Sequence, residues 1–474
     1  MLPAAPLSRR EFLDWGRHGL AATAVAALLD SEARRASADE PAAPPQRAKR
    51  AIHISLVGGL SHIDSFDPKP ALDRLHGTKL ATTEKPDIFF GQMGLLRKAD
   101  WAFRPRGQSG LEVSDLFPRI AELADELTVL RSMESKSANH TPALALSNSG
   151  FEFIGFPSMG SWISYGLGVE NESLPAYVVL NDERGAPNTG AATWSSAFLP
   201  TSHQGVVLRG GHQPVADLFP ARPIAPAADR ATRDFVAALD RRRIADATVE
   251  DGLTARIRSY ELAARMQASV PEVASLATET RATHEAYGLD DPQTADMGRR
   301  CLLGRRLLER GVRFVQLFSG GPIAGSPRAS WDAHENVRKN HAAEAARIDR
   351  PVAALLRDLR ERGMLDDTLV IFTTEFGRTP FTQSAADTVG AGRDHNRYGF
   401  SCWLAGAGLR PGIAIGATDE IGWKAVERPI PWHDFHATVL HLFGIDHEQL
   451  AYYHNGIRRR LTNVHGEVVR EAIA

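Results

Sequence analysis

The stretch AIHISLVGGLSHIDSFDPKP, residues 51–70, joins a largely apolar run to a polar turn and decides the fold class. The run at 51–57 is typical of a strand inside a parallel sheet, where helices cover both faces. Two glycines follow it, and then His62, Asp64 and Asp67 precede Pro68. One interpretation of these polar residues is turn formation ahead of a proline. The other is a site for metal or catalysis at the end of a buried strand.

Five further runs have the same character, and helical patterns separate them. They are LTVLRSM (127–133), PAYVVLN (175–181), VRFVQLF (312–318), TLVIFTT (368–374) and YGFSCWLAG (398–406). Apolar spacing predicts helices at about 225–310, at 341–364 and at 434–444. We expect the irregular segment from about 182 to 225 to be a long surface insertion. The alternation of strands and helices predicts an α/β protein with a mainly parallel sheet.

The composition restricts the partners and the redox chemistry of the chain. Its 474 residues include 55 basic and 57 acidic side chains, which gives a formal net charge of -2. This balance gives no reason to expect nucleic acid or another polyanion as partner. Two cysteines, Cys301 and Cys402, are too few for a disulfide framework or a thiolate zinc site. We expect two free buried thiols, although one bridge between them is also compatible with the sequence.

The N-terminal part of the chain has the order of features found in an export signal. Arg9 and Arg10 precede a weakly apolar stretch at 19–29, and an Ala-Ser-Ala site ends at residue 38. We interpret residues 1–38 as a twin-arginine signal peptide rather than a short amphipathic helix, and 39–50 as a flexible leader. No later run has the length of a membrane span. The prediction is a periplasmic or secreted protein.

Histidine and carboxylate residues collect at the predicted strand ends. The stretches concerned are SHIDSFD (61–67), ESKSANHTPA (134–143), SWDAHEN (330–336), TEFGRTP (374–380) and GRDHN (392–396). Because the carboxyl ends of parallel strands share one edge of a sheet, these residues are expected to converge there. Imidazoles and carboxylates without thiolates are typical ligands of divalent metals such as zinc, manganese or calcium. For Asp332 and His334 the alternatives are a helix cap and a hydrogen bond to a backbone carbonyl, and for Glu375 and Arg378 an ion pair.

The motifs GGLSHIDSFDPKP, WDAHEN, TEFGRTP and GRDHN, together with YGLDDPQTADMGRRCLLGRRLLERGVRFVQL, resemble the DUF1501 family of exported, planctomycete-type bacterial proteins. That family is grouped with the alkaline phosphatase and sulfatase superfamily, and the resemblance covers about 51–465. It implies a three-layer α/β/α sandwich that is alkaline-phosphatase-like. It also implies a site for one or two metal ions at the strand ends, where phosphate or sulfate esters are hydrolysed.

The resemblance carries over to particular residues only in part. It implies metal ligation by Asp332, His334 and His395, and Glu375 lies where active relatives place an Asp-His pair. The next residue here is Phe376, which cannot bind a metal. At the first strand, two glycines replace the usual aspartate, so His62, Asp64 or Asp67 would have to supply the ligand.

The position of the nucleophile also departs from the sulfatase pattern. The chain has His140-Thr141-Pro142 there, without a cysteine that could become formylglycine. His140 is then a ligand, a general base or a nucleophile, and Thr141 is the adjacent hydroxyl. Arg378 and Arg393 are candidates for binding an anionic ester oxygen, the alternative being ion pairs with Glu375 and Asp394.

The leading hypothesis is an exported metal-dependent hydrolase of an anionic ester, either a small molecule or a polysaccharide. The alternative is a non-catalytic secreted binding or assembly module on the same scaffold. Because protonated imidazole cannot bind a metal, we expect the hydrolase to lose activity between roughly pH 7 and 5.

Overall fold

The computed structural model describes residues 43–82, 86–209, 224–246, 260–262, 265–266, 270–323 and 329–474. The signal peptide predicted for 1–38 and the first residues of the predicted leader lie outside the described residues. Residues from Pro45 onward form one compact unit. Within the predicted leader, the amides of Arg47 and Ala48 donate to the carbonyl of Leu442. The end of that segment is therefore part of the fold.

All six predicted strands are present, together with additional ones. The strands are β1 (Arg50–Leu56), β2 (Phe103–Arg106), β3 (Leu111–Ser114), β4 (Leu127–Glu134), β5 (Tyr177–Leu180), β6 (Val206–Leu208), β7 (Phe314–Ser319), β8 (Thr368–Thr374), β9 (Gly377–Thr382), β10 (Arg393–Asn396), β11 (Phe400–Ala405), β12 (Ile413–Ile415), β13 (Ala417–Thr418), β14 (Ala425–Glu427), β15 (Ile430–Pro431), β16 (Tyr452–His454) and β17 (Ile457–Arg459). Strand β6 lies inside the segment that was expected to be an irregular insertion.

Described helices lie in each of the three regions predicted to be helical and at some additional positions, while residues 247–259, 263–264 and 267–269 of the first region lie outside the described residues. The described helices are α1 (Pro70–Leu75), α2 (Pro118–Ala121), α3 (His140–Ser149), α4 (Met159–Leu167), α5 (Pro226–Asp246), α6 (Arg281–Ala286), α7 (Ala295–Glu309), α8 (Val337–Glu361) and α9 (Trp432–Leu442). Helix α8 begins a few residues earlier than the apolar spacing predicts, because Asn336 caps it by accepting a hydrogen bond from the Lys339 amide.

The central sheet has the strand order β12-β4-β11-β8-β1-β7-β5-β6, and β15 also pairs with β4. The pairs of β1 with β7 and β8 and of β5 with β6 and β7 are all parallel. Strand β11 alone runs antiparallel to its neighbours in this central path, β4 and β8. The predicted α/β fold with a mainly parallel sheet is confirmed. Because β11 is reversed, the residues before it lie at the edge where the parallel strands end.

Strand β1 explains why the sheet needs cover on both faces. Ile52, Ile54 and Leu56 belong to a core that also contains residues of α7 and α8. Ala51 and Val57 belong to a second core, which contains residues of α3, α4 and α9. Successive side chains of a strand point to opposite faces, so one apolar strand stabilises two helical layers. The result is the expected three-layer sandwich.

Two smaller expectations can also be compared with the structure. Cys301 and Cys402 are free and buried. In the part of the chain that the structure describes, no helix is both long enough and apolar enough to cross a bilayer.

Candidate metal centre

Two strand ends and one antiparallel ribbon bring four buried side chains together at the carboxyl edge of the sheet. His140 is the first residue of α3, which follows β4, and His395 lies in β10, just before β11. Asp332 and His334 lie in the loop between β7 and α8. One ligand atom from each of these residues lies within 4.8 Å of all the others. We call this group, His140, Asp332, His334 and His395, the His-Asp cluster.

Three imidazole nitrogens of the His-Asp cluster face one carboxylate oxygen. The distances to Asp332 Oδ1 are 3.4 Å from His140 Nε2, 2.7 Å from His334 Nε2 and 3.3 Å from His395 Nε2. Ligands about 2.1 Å from a tetrahedral zinc ion would be about 3.4 Å apart. The spacing therefore fits ligands of one transition-metal ion.

The opposite ring nitrogens fix which tautomer each histidine adopts. His140 Nδ1 lies 2.7 Å from Glu375 Oε1, and His334 Nδ1 lies 2.5 Å from Gln383 Oε1. His395 Nδ1 lies 2.6 Å from the carbonyl oxygen of Ala138. These oxygens can only accept, so each Nδ1 carries the proton and each Nε2 directs a lone pair toward Asp332. Lone pairs facing an anionic oxygen repel one another, and a bound cation removes that repulsion.

The charge state of His395 agrees with a role as a neutral ligand. Burial, together with the nearby Arg378, His140 and His334, holds the pKa of His395 well below its usual range. The imidazole is therefore neutral at pH 7, and its lone pair is available to a metal ion.

Arg378 orients the carboxylate of the His-Asp cluster. Its Nη2 donates to Asp332 Oδ1 at 2.8 Å, and its Nε donates to the carbonyl of Gly59 at 2.9 Å. Burial lowers the pKa of its guanidinium to about 10, so it remains charged at neutral pH. The alternative considered for Arg378 was an ion pair with Glu375, but its ion pair in the structure is with Asp332.

The two glycines after β1 allow the loop that carries Asp332 to approach the strand. Gly58 has a φ of +123°, and a Cβ atom there would lie 2.4 Å from the Asp332 amide nitrogen. The Gly58 amide donates to Glu375 Oε1 at 2.8 Å. These glycines therefore bring together the segments that carry the candidate metal ligands and their hydrogen-bond partners.

The structure places His62 and Asp64 outside the His-Asp cluster. His62 Nε2 lies 2.8 Å from the carbonyl oxygen of Gly422. Asp64 accepts from Ser61 Oγ at 2.6 Å and pairs with Arg393 Nε at 3.2 Å. The other guanidinium nitrogens of Arg393 donate to backbone carbonyls, including that of Thr379 at 2.9 Å. Arg393 and Asp64 therefore form a buried ion pair, whereas the alternative considered for Arg393 was a pair with Asp394.

The remaining predicted site residues lie beside the His-Asp cluster. Glu375 contacts His140 but contributes no ligand atom to the group of four. Thr141 is exposed in the first turn of α3, directly after His140. The helix cap considered for Asp332 is provided by Asn336 instead.

Several residues that complete the site could not be identified from the sequence. Gln383 follows the TEFGRTP motif, but nothing in its surroundings indicates a contact with a histidine. Phe89 packs on His395 with ring centroids 5.0 Å apart, and Phe90 meets His334 edge-on at 4.8 Å. These two rings cover the His-Asp cluster on one side.

We expect Glu375→Gln to weaken metal binding without removing it. The carboxamide oxygen can still accept from His140, but the loss of charge makes the imidazole a poorer donor to the metal. Metal affinity should fall about 10-fold to 100-fold, as for other residues that hydrogen-bond a metal ligand. Competition with a chelator of known affinity measures this. Glu344→Gln is the matched control, because Glu344 is a buried carboxylate that pairs with Arg184 outside the cluster. Equal affinities in the two variants would contradict the role of Glu375.

The chain is similar to one protein family in sequence and to several solved structures in architecture. The profile of a family of proteins of unknown function, DUF1501, matches residues 48–473. A comparison with curated protein sequences found no match. Similar solved structures include the PsFucS1 sulfatase from Pseudoalteromonas sp., with 15% identity and a TM-score of 0.34 over 85% of this chain and 69% of that chain. A phosphonate monoester hydrolase from Silicibacter pomeroyi has 11% identity and a TM-score of 0.34 over 83% of this chain and 73% of that chain. The alkaline phosphatase from the Antarctic bacterium TAB5 has 12% identity and a TM-score of 0.34 over 79% of this chain and 96% of that chain.

Proposed function

Because the chain belongs to the DUF1501 family, whose function is unknown, and carries a buried His-Asp cluster, we propose that it is a metal-dependent hydrolase of phosphate or sulfate esters. The observation that supports this most strongly is the convergence of three imidazole lone pairs on Asp332 Oδ1. Burying these lone pairs beside a carboxylate costs free energy, and a cation bound between them offsets that cost.

The donor set favours zinc, with manganese as the second choice. Three imidazoles and one carboxylate suit a borderline ion, whereas calcium prefers six or more oxygen ligands. One such group is found among the described residues, so we propose one ion per chain. The predicted contributions of His62 and Asp64 to metal binding are not part of this proposal.

A bound divalent ion would supply Lewis acidity toward an ester oxygen. The side chains have separate tasks: Arg378 holds Asp332, and Glu375 holds His140. Phe89 and Phe90 pack against His395 and His334 on one side of the cluster. Since both ring nitrogens of His140 have contacts, we assign it as a ligand and propose the exposed Thr141 hydroxyl as the nucleophile.

Export through the twin-arginine route is part of the same proposal and rests on Arg9, Arg10 and the Ala-Ser-Ala site alone. Expression in a bacterium with and without a functional twin-arginine translocase tests it. The expected result is a periplasmic protein that begins near residue 39 in the first strain and an unprocessed protein in the second.

A second candidate function is metal binding for structure in a non-catalytic module. The observation that favours it is the completeness of the ligand set. Four buried side chains can complete the tetrahedral coordination of a zinc ion by themselves, as in structural zinc sites. Catalytic zinc sites keep a position open for water or substrate.

Metal content and ester hydrolysis together distinguish the two functions. The full chain is purified without chelators, its metals are measured by mass spectrometry, and it is assayed with para-nitrophenyl phosphate, its diester and para-nitrophenyl sulfate. The hydrolase predicts one zinc ion and turnover of at least one ester. His334→Ala should lose both metal and turnover. Thr141→Ala should keep the metal and lose turnover, and Thr141→Ser should restore part of it.

A folded, zinc-loaded protein that hydrolyses none of the three esters would reject the hydrolase and favour the structural metal site. A folded protein that takes up no divalent ion would reject both functions.

A further inference from the structure

A cleft of about 240 Å³ opens beside His395 of the His-Asp cluster. Its lining residues are Asp87, Phe89, Lys136, Ser137, Ala138, Asn139, His395 and Arg397. One wall belongs to residues 86–90, which we call the aromatic strap, and the opposite wall is the loop between β4 and α3. A molecule bound here would contact the metal ligand His395 directly.

The aromatic strap is tied to the segment that carries His395. Asp87 Oδ2 accepts from Arg397 Nη2 at 2.9 Å and from the Tyr398 hydroxyl at 2.6 Å. The Phe90 amide donates to Asp394 Oδ2 at 2.9 Å. These contacts hold both ends of the strap against the residues on either side of His395, so the position of its rings is fixed relative to the cluster.

The two rings of the aromatic strap remain half exposed although they contact the cluster. Phe89 is 42% exposed and Phe90 is 51% exposed. Phe89 stacks on His395 at an interplanar angle of 27°, and Phe90 stands at 88° to Phe89. A ligand that covers this apolar ring surface removes it from water, which contributes favourable free energy to binding.

The opposite wall supplies positive charge. Arg397 is neutralised by Asp87, and its Nη1 donates to the carbonyl of Lys136. Lys136 itself is an exposed lining residue, and no ion pair of its ammonium is found among the described residues. An anionic group between Lys136 and a metal ion held by the His-Asp cluster would be attracted from both sides.

We propose that the cleft selects anionic esters whose organic part contains a ring with an apolar face. The ring packs on Phe89, and the ester oxygens lie between Lys136 and the His-Asp cluster. The ester linkage rests on the proposed hydrolase, but the selection of a ring beside an anion is a property of binding alone. Phe89 and Lys136 are therefore assigned as specificity-determining residues.

Binding of inert anions tests this without turnover. The zinc-loaded full chain is titrated by calorimetry with phenylphosphonate and with methylphosphonate, which lack an ester bond and differ by the ring. The wild type should bind the phenyl compound about tenfold more tightly, the size expected for one good aromatic contact. Phe89→Ala should reduce this preference to about twofold or less. Lys136→Ala should weaken both ligands by a similar factor of about five to ten.

The controls are Phe153→Ala and Lys424→Ala, which remove an exposed ring and an exposed ammonium that do not line the cleft. Both should bind like the wild type. A wild type without preference for the ring, or a Phe89→Ala variant that keeps it, would overturn the inference. Ring-selective binding in a protein that hydrolyses no ester would leave the cleft assignment standing and reject the hydrolase. Repeating the titration with a sugar phosphonate distinguishes a sugar ring from an aryl ring as the natural group.

Discussion

Asp332→Asn is expected to leave the protein unable to retain a divalent ion. Asp332 is 2% exposed, and its Oδ1 faces all three histidines of the His-Asp cluster. The substitution removes the anionic ligand around which the site is built. Loss of a residue that hydrogen-bonds a metal ligand lowers metal affinity by up to about 100-fold, and the loss of Asp332 itself should lower it further. Metal content after dialysis, followed by zinc titration, measures the loss.

Asp64→Asn is the matched control for this substitution. Asp64 is a fully buried carboxylate that pairs with an arginine, as Asp332 does, but it lies outside the His-Asp cluster. The control should lose stability and keep its metal. Asp332→Asn also deprives Arg378 of its carboxylate, so His334→Ala, which leaves that pair intact, provides a second measurement. If folded Asp332→Asn or folded His334→Ala retains one zinc ion per chain, the assignment of the His-Asp cluster as the metal site is contradicted.

Acid is expected to unfold the metal-free protein near pH 5. Burial lowers the pKa of His53, His341 and His436 to about 3. In the unfolded chain these residues titrate at about 6.5, so below that pH the unfolded state binds protons that the folded state excludes. Each contributes about 2 kcal/mol of lost stability between pH 7 and 5, or about 6 kcal/mol for the three.

One buried carboxyl opposes this loss. Burial raises the pKa of Asp349 to about 6, so its protonation stabilises the folded state as the pH falls through that value. The offset is about 1 kcal/mol, which leaves a net loss of about 5 kcal/mol. That loss is comparable to the total stability of many domains.

Urea denaturation of the metal-free protein between pH 7 and 5 measures the effect separately from metal release. His436→Gln should reduce the loss of stability between pH 7 and 5 by about 2 kcal/mol, since glutamine can still donate to the carbonyl of Ser147 and does not titrate. A free energy of unfolding that stays constant within about 1 kcal/mol over this range would contradict the predicted loss of stability and its attribution to the buried neutral histidines.

Much of the fold could be predicted from the sequence because it is encoded locally. The runs that became β1, β4, β5, β7, β8 and β11 are largely apolar, which indicates strands covered on both faces. The direction of β11 could not be predicted, because an apolar run is the same in a parallel and an antiparallel strand. Its reversal brings His395 to the edge where the other ligands lie.

The candidate site was predictable to the extent that its residues stand at strand ends. His140, Asp332, His334 and His395 follow or precede predicted strands, and the structure brings these four together. His62 and Asp64 have the same position in the sequence but contact a backbone carbonyl and a buried arginine. The position of a residue at a strand end predicts the edge of the sheet at which it lies. The direction of its side chain depends on how neighbouring segments pack, and the sequence does not show that.

The sequence by itself determined the α/β class, the edge of the sheet that carries polar residues and the ligand types available there. Hydrophobic runs and strand ends are local features, and they suffice for these conclusions. Only the tertiary structure decided which side chains share one site. Gln383, the Ala138 carbonyl and Glu375 lie far from the histidines they orient in the chain but close to them in space. Such contacts depend on how loops from separate strands meet, and no local pattern encodes that.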